Sequence, residues 1–196
     1  MNSVVSALTR ATKLLSSMGR SHAVVGGLAV SARAEPRFTR DVDIAVAVSD
    51  DSDAETLVGA FLGHGYRVLA VVEQEAVGRM ATARLVPPDG EDAGVVVDLL
   101  FGSSGIETEI CRDAELIPIV EGLTVPVARL GHLLALKILS RDDQTRPQDL
   151  ADLHALLNQA DASEIDRARE ALQTISQRNF HRGRNLDESL TDLLES

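Results

Sequence analysis

Residues 95–100 read Val-Val-Val-Asp-Leu-Leu, a run apolar on both faces of an extended chain with one carboxylate inside it. A segment this uniformly aliphatic has to be covered on both sides, which makes it a central strand of a sheet. Asp98 is then costly to ionise unless something nearby compensates its charge. A second strand pattern, 41–48, sets Asp41 and Asp43 against Val42, Ile44, Val46 and Val48. Residues i and i+2 of a strand share a face, so the two acids stand side by side within one ion's reach. A lone Asp-x-Asp at a strand end is more simply read as facing water. A third acid on a neighbouring strand favours convergence on a metal instead, with an Arg partner as the alternative for Asp98.

The remaining pattern supplies neighbours for these strands. Apolar residues at helical spacing predict a helix over 4–18, with Gly19 as its C-cap. Residues 22–25 read as a short strand that stops at Gly26 and Gly27, followed by a helix over 28–33. Runs at 66–73 and 79–86, bounded by turn residues such as Pro87, Pro88, Asp89 and Gly90, complete one mixed sheet. Between them, 53–62 reads as a helix with an acidic first turn. Residues 117–119 and 123–127 read as edge strands, because Pro118 and Pro126 cannot donate to a central ladder. From Leu130 the pattern is helical, over 130–139, 147–157, 163–175 and 186–194. The fold class expected is α/β (α+β): a mixed-sheet core over 1–128, then a C-terminal helical bundle over 129–196.

Composition narrows what such a fold does. The chain has 196 residues, 44% hydrophobic and 25% charged, which excludes collagen-like, disordered and membrane-spanning classes. Cys111 is the single cysteine, and the five histidines show no zinc-ligand spacing, so a reducing cytoplasm is the expected setting. Residues 1–18 carry Arg10 and Lys13 and no continuous apolar stretch, unlike a secretory signal. A net charge of -11 argues against general coating of nucleic acid, though not against a local basic groove. Only Lys13 and Lys137 are lysines.

Gly26 and Gly27 fall at a strand-to-helix turn, where bare backbone N–H groups and the helix dipole can cradle an anion. With Asp41 and Asp43 fourteen and sixteen residues after Gly27, the arrangement combines a phosphate cradle with a carboxylate clamp. Those are the two halves of a nucleoside triphosphate site. The hard oxygen ligands suit Mg²⁺ or Mn²⁺, with Asp98 as a third ligand of a two-metal centre.

The strings Val-Gly-Gly, Asp-Val-Asp-Ile and Val-Asp-Leu resemble the nucleotidyltransferase superfamily of DNA polymerase beta and the kanamycin nucleotidyltransferases. Gly-Gly-Leu-Ala-Val, Arg-Phe-Thr-Arg-Asp-Val-Asp-Ile, Leu-Ala-Leu-Lys-Ile-Leu-Ser-Arg and Gln-Asp-Leu-Ala-Asp-Leu are similar to the AbiE-type toxin nucleotidyltransferases, and within them to the MenT-like toxins of mycobacteria. The resemblance spans residues 24–157. It implies that Gly26 and Gly27 hold the triphosphate and that Asp41 and Asp43 bind the metal. Lys137 is implied to contact the phosphates, and a snorkelling surface lysine is the alternative. Asp152 matches the essential acid of the last motif, and Asp149, one helical turn earlier, is a secondary assignment. Arg40, next to the first acid, is taken as a further nucleotide contact. Two departures stand out: Asp142 and Asp143 dilute Arg141 and Arg146 in a segment that is richer in basic residues in many such toxins, and Asp98 fits the superfamily better than the toxins.

The implied function is transfer of a nucleoside monophosphate from an NTP to the 3′ end of tRNA, halting translation until a cognate antitoxin intervenes. Thr39, two residues before Asp41, offers a hydroxyl where a phosphate would add about -1.5 to -2 charge beside the acids and silence the site. Arg33, Arg37, Arg40, Arg79, Arg84, Arg141 and Arg146, with a second group at Arg178, His181, Arg182 and Arg184, are the residues available to line an RNA groove. Taken singly, each is better explained as a solvated surface charge. A small cationic acceptor such as an aminoglycoside, or an inert binding module on the same fold, are the competing readings. A monomer is the default expectation.

Overall fold

The computed structural model describes residues 2–74, 78–88, 94–142 and 147–195. The first helix, α1 (Asn2–Ser17), buries Val4, Ala7, Leu8, Ala11, Leu14 and Leu15 along one stripe. It ends as its sequence predicts: Gly19 takes φ +65°, and Arg20 N–H donates to the Leu15 carbonyl at 3.0 Å. Strand β1 (His22–Val25) runs directly into α2 (Gly26–Arg33), so the two glycines begin the helix and do not merely precede it. Next come β2 (Asp41–Val46), α3 (Asp51–Gly63), β3 (Arg67–Gln74), β4 (Arg79–Val86) and β5 (Val96–Leu100). The helix α3 starts two residues before its predicted position because the Asp50 side chain caps it, accepting from Asp53 N–H at 2.9 Å.

A helix absent from the sequence reading follows: α4 (Glu107–Asp113), two turns long and too short to show a period. The Glu107 carboxylate fixes its start by accepting from the N–H groups of Ser103, Ser104 and Gly105. The chain then adds β6 (Glu115–Val120) and β7 (Leu123–Val127) before α5 (Leu130–Ser140), α6 (Pro147–Leu157), α7 (Ala162–Gln177) and α8 (Leu186–Glu195).

All seven of these strands lie in one mixed sheet of order β3-β4-β5-β2-β1-β7-β6, with β2 parallel to β5 and β1 parallel to β7. Only β6 of the two proline-bearing strands is an edge. Strand β7 lies inside the sheet, contrary to expectation, because it meets β1 only at Val24↔Val127, one residue beyond Pro126. The missing N–H of the proline therefore falls before that pairing begins.

One cluster of buried apolar residues runs from Val4 through the strands to Leu193. The helix α5 is buried nearly all round and touches α2, α6, α7 and α8. Its approach to α7 depends on Gly131: a Cβ there would strike the Glu164 carbonyl oxygen and lie 2.8 Å from Arg167 Cβ. The Gly131 N–H also donates to Glu164 Oε2 at 2.7 Å. We expect Gly131→Ala to force α5 and α7 apart and cost about 1–3 kcal/mol in urea unfolding. A midpoint equal to the parent's would show that this contact does not set the helix spacing.

Candidate functional site

Four residues form a row across the sheet: Val25 on β1 pairs with Asp43 on β2, Asp43 with Asp98 on β5, and Asp98 with Arg84 on β4. Side chains at paired positions of neighbouring strands emerge side by side on one face. Asp41 stands two residues before Asp43, exposed at the mouth of β2. These residues floor a cleft of about 430 Å³ that is walled by Gly26, Gly27, Thr39, Leu133, Leu136, Lys137, Ser140, Gln148, Asp149 and Arg182 among others.

The two glycines are required by their surroundings. Gly26 has φ +62°, and a Cβ on it would coincide with the Asp43 carboxylate. At Gly27 a Cβ would lie 2.6 Å from Arg37 Nη2. Val25 occupies the N-cap and contributes no side-chain acceptor to the first turn of α2. The start of this helix thus presents backbone donors close beside the acids.

Two sets of ion pairs flank Asp41 and Asp43. On one side Arg84 grips Asp98 with two of its three nitrogens, Nε to Oδ1 at 2.9 Å and Nη2 to Oδ2 at 2.6 Å. The sequence reading preferred a metal at Asp98; the structure supplies an arginine, because the register of β4 on β5 puts Arg84 directly opposite. On the other side Lys137 lies 2.6 Å from Asp149 Oδ1 and 2.7 Å from Asp152 Oδ2. Asp152 also meets Arg37 Nε at 2.8 Å and accepts from Gln148 at 3.3 Å. With its side chain only 13% exposed, Lys137 is held by acids and is no snorkelling surface lysine.

Asp152, at 1% exposure, does not line the cleft. It lies behind Lys137 and Arg37 and pairs with both, while Asp149 lines the cleft itself. Thr39 also lines it, and its hydroxyl accepts from the Asp41 N–H at 3.3 Å. Arg40 is not brought in: one step out of phase with Thr39, Asp41 and Asp43, it is exposed and sits over the Phe38 ring at 5.6 Å. Arg141 caps α5, where its carbonyl accepts from Arg184 at 2.9 Å, and its side chain is not in the cleft wall. Arg146 lies outside the described residues.

Most arginines expected to line an RNA groove are engaged within the fold. Arg33 pairs with Glu115 at 2.6 Å, Arg79 with Asp51 at 3.3 Å, and Arg178 with Glu109 at 2.6 Å. Arg182 reaches the cleft wall from a backbone with φ +53°. Arg37, Arg84 and Arg182, named from sequence as candidates for an RNA groove, line the cleft, while Ser140 and Gln148 in its wall were given no role by the sequence. Arg84 was recoverable, since an arginine on the neighbouring hairpin is the natural partner for a carboxylate in an aliphatic strand.

Burial first, then the charges of Asp98 and Asp41, push the Asp43 carboxyl up to about 7, while Lys137 and Arg84 pull it the other way. Asp98 in turn holds the Arg84 guanidinium more firmly charged than usual. Among the described residues no three of His, Cys, Asp or Glu are grouped to hold a metal ion by themselves. Asp41 and Asp43 nonetheless fit Mg²⁺ or Mn²⁺, ions commonly bound through one or two carboxylates with phosphate and water completing the shell. The unrelieved charge that raises Asp43 is what such an ion would neutralise.

Comparison with known proteins places this geometry. The sequence model of one family, described as Nucleotidyl transferase AbiEii toxin, Type IV TA system, matches residues 14–195. No curated protein sequence matches the chain. The solution structure of the antibiotic-resistance factor ANT(2'')-Ia is similar in fold, with TM-score 0.59, 14% identity, and coverage of 93% of this chain and 98% of that one. So is the crystal structure of an antigenic nucleotidyltransferase-like protein from Paracoccidioides brasiliensis, with TM-score 0.52, 20% identity, and coverage of 95% and 91%.

The raised Asp43 has a consequence for stability. Between its ordinary value of 3.8 and its folded value of about 7, the folded chain keeps a proton that the unfolded chain has released. The contribution of Asp43 to stability therefore falls as pH rises through that window and is level above it. Asp43→Asn, which cannot ionise, should abolish that decline and leave the metal-free protein more stable at pH 8, on the order of 2 kcal/mol. Urea unfolding at pH 5 and pH 8 reads this directly, and parallel pH profiles for parent and variant would refute it.

Proposed function

The chain belongs to the AbiEii family of nucleotidyltransferase toxins, and we propose that it transfers a nucleoside monophosphate from an NTP to the 3′ acceptor end of tRNA. The observation that carries this reading is the cleft itself, where the start of α2 at Gly26 and Gly27 adjoins Asp41 and Asp43 with Lys137 opposite. Residues 1–128 would form the catalytic core, and 129–196 would deliver Lys137 and its supporting acids.

In this reading the backbone donors of Gly26 and Gly27 take the triphosphate, with the helix dipole behind them. Lys137 has three N–H donors; Asp149 and Asp152 hold it at the cleft wall, from which it reaches the phosphates as a compact charge. Asp41 and Asp43 would hold Mg²⁺ or Mn²⁺, which when bound supplies charge neutralisation at the phosphates and lowers the pKa of the attacking hydroxyl. The terminal hydroxyl of the acceptor attacks the α-phosphorus in line, a new P–O bond forms, and pyrophosphate leaves. Asp152 acts by holding Lys137 and Arg37 in place.

An RNA acceptor is supported by the rim. Phe38 is 76% exposed, stacked by Arg40, and adjacent to Thr39 in the cleft wall, a platform suited to an unpaired base. The net charge of -11 favours a small cationic acceptor as the second reading. The extended tRNA would no longer accept an amino acid, and the reaction would take place in the cytoplasm. No helix among the described residues is long and apolar enough to cross a membrane.

The deciding assay offers each of four α-labelled NTPs with Mg²⁺ and total tRNA. Label should reach tRNA with one or two donors, and Asp41→Ala or Lys137→Ala should reduce transfer by roughly 100-fold or more with the fold intact. Label on an aminoglycoside but not on tRNA would establish the second reading. The antitoxin partner would act at Thr39, where a phosphate placed beside Asp41 would repel the triphosphate. Co-expression with the cognate antitoxin should add one phosphate to the intact mass and none to Thr39→Ala; an unmodified, inactive protein would exclude this route.

A further inference from the structure

The strand β3 is one end of the sheet, and among the described residues its outer edge faces no other strand. Eight residues long, it is exposed at seven positions and half-buried only at Gln74. Within it, residues 68–72 read Val-Leu-Ala-Val-Val, and the large side chains are 43% (Val68), 59% (Leu69), 48% (Val71) and 52% (Val72) exposed. A long aliphatic edge is what a soluble chain avoids, normally by placing a lysine or proline in it. Neither is present in β3. Two register slips against β4, between Val68 and Ala70 and between Val72 and Glu73, curve the strand but leave its side chains uncovered.

The order of residues along the strand is self-complementary. About a two-fold axis through Ala70, an antiparallel second copy places Val68 opposite Val72, Leu69 opposite Val71, Ala70 opposite itself, and Arg67 opposite Glu73. Moving the register by one residue in either direction sets Arg67 against Gln74 or Val72 and loses both opposite-charge pairs. A strand that meets its own reverse in apolar and charged positions alike is the requirement for an isologous dimer. On α3, the helix that follows β2 and touches β3, Leu62 adds a further exposed apolar side chain at 44%.

We propose that two copies of this chain pair antiparallel through β3, joining their sheets into one across a two-fold axis at Ala70. The occupant of the edge is a second copy, as opposed to a strand from another protein, because the charges at its two ends complement each other. The inference does not depend on the acceptor of the enzyme or on its activity.

Sedimentation velocity of the full chain across the micromolar range tests it. The expected mass is twice 21.0 kDa, falling to a single chain in Val71→Lys, whose circular dichroism should match the parent's. Glu73→Arg should weaken the dimer, and the double exchange Arg67→Glu with Glu73→Arg should restore it. A parent that sediments as one chain throughout would overturn the proposal, and so would a dimer indifferent to Val71→Lys. A monomeric parent whose antitoxin binding is lost in Val71→Lys would assign the edge to that partner and overturn self-pairing.

Discussion

Two carboxylates at paired positions of adjacent parallel strands repel each other across a few ångströms, and the arrangement of this molecule follows from containing that repulsion. Asp43 and Asp98 cannot move apart, because the aliphatic residues around them fix the register of β2 on β5. Arg84 takes up one charge from the strand beyond. The other is left raised in pKa, within reach of Lys137 and open to a cation. Helix α5 has to lie close over the sheet to bring its lysine there, and its own supporting acids come from α6. Each layer of the structure is thus answerable to a charge in the one beneath it.

The cations of the cleft have partners inside the fold. Lys137, Arg37 and Arg84 all pair with carboxylates. Bound phosphates therefore compete with internal acids for these cations, and part of the attraction is offset by pairs that must loosen. This favours a substrate that brings its own cation, since Asp41 and Asp43 gain by neutralisation as the cationic side chains turn to phosphate.

Much of this was legible in the sequence where periodicity and short range decide structure. The parity of Asp41 and Asp43, the apolar run around Asp98 and the turn at Gly26 and Gly27 each follow from local pattern, and all lie in one cleft. What escaped the reading depends on register or on contacts between distant segments. Arg84 meets Asp98 only because β4 and β5 pair in one particular alignment. Asp152 is sealed by Arg37, 115 positions away along the chain, so the spacing of Asp149 and Asp152 could place both on one face without saying which would line the cleft. The prolines of β6 and β7 suggested two edges, but a strand can lie inside a sheet when its partner pairs with it over a single residue. The helix α4 held too few turns to show a repeat.

The spacing of α5 and α7 carries a different implication. The close approach of α5 to α7 is allowed at Gly131, about two turns back along the helix from Lys137, by the absence of a side chain. Leucines elsewhere on α5 can be exchanged for other aliphatic residues with compensating shifts, but no residue is smaller than glycine. Sequence drift on α5 is therefore restricted at a position that bears no functional group, and a search for essential residues guided by chemistry alone would pass over it.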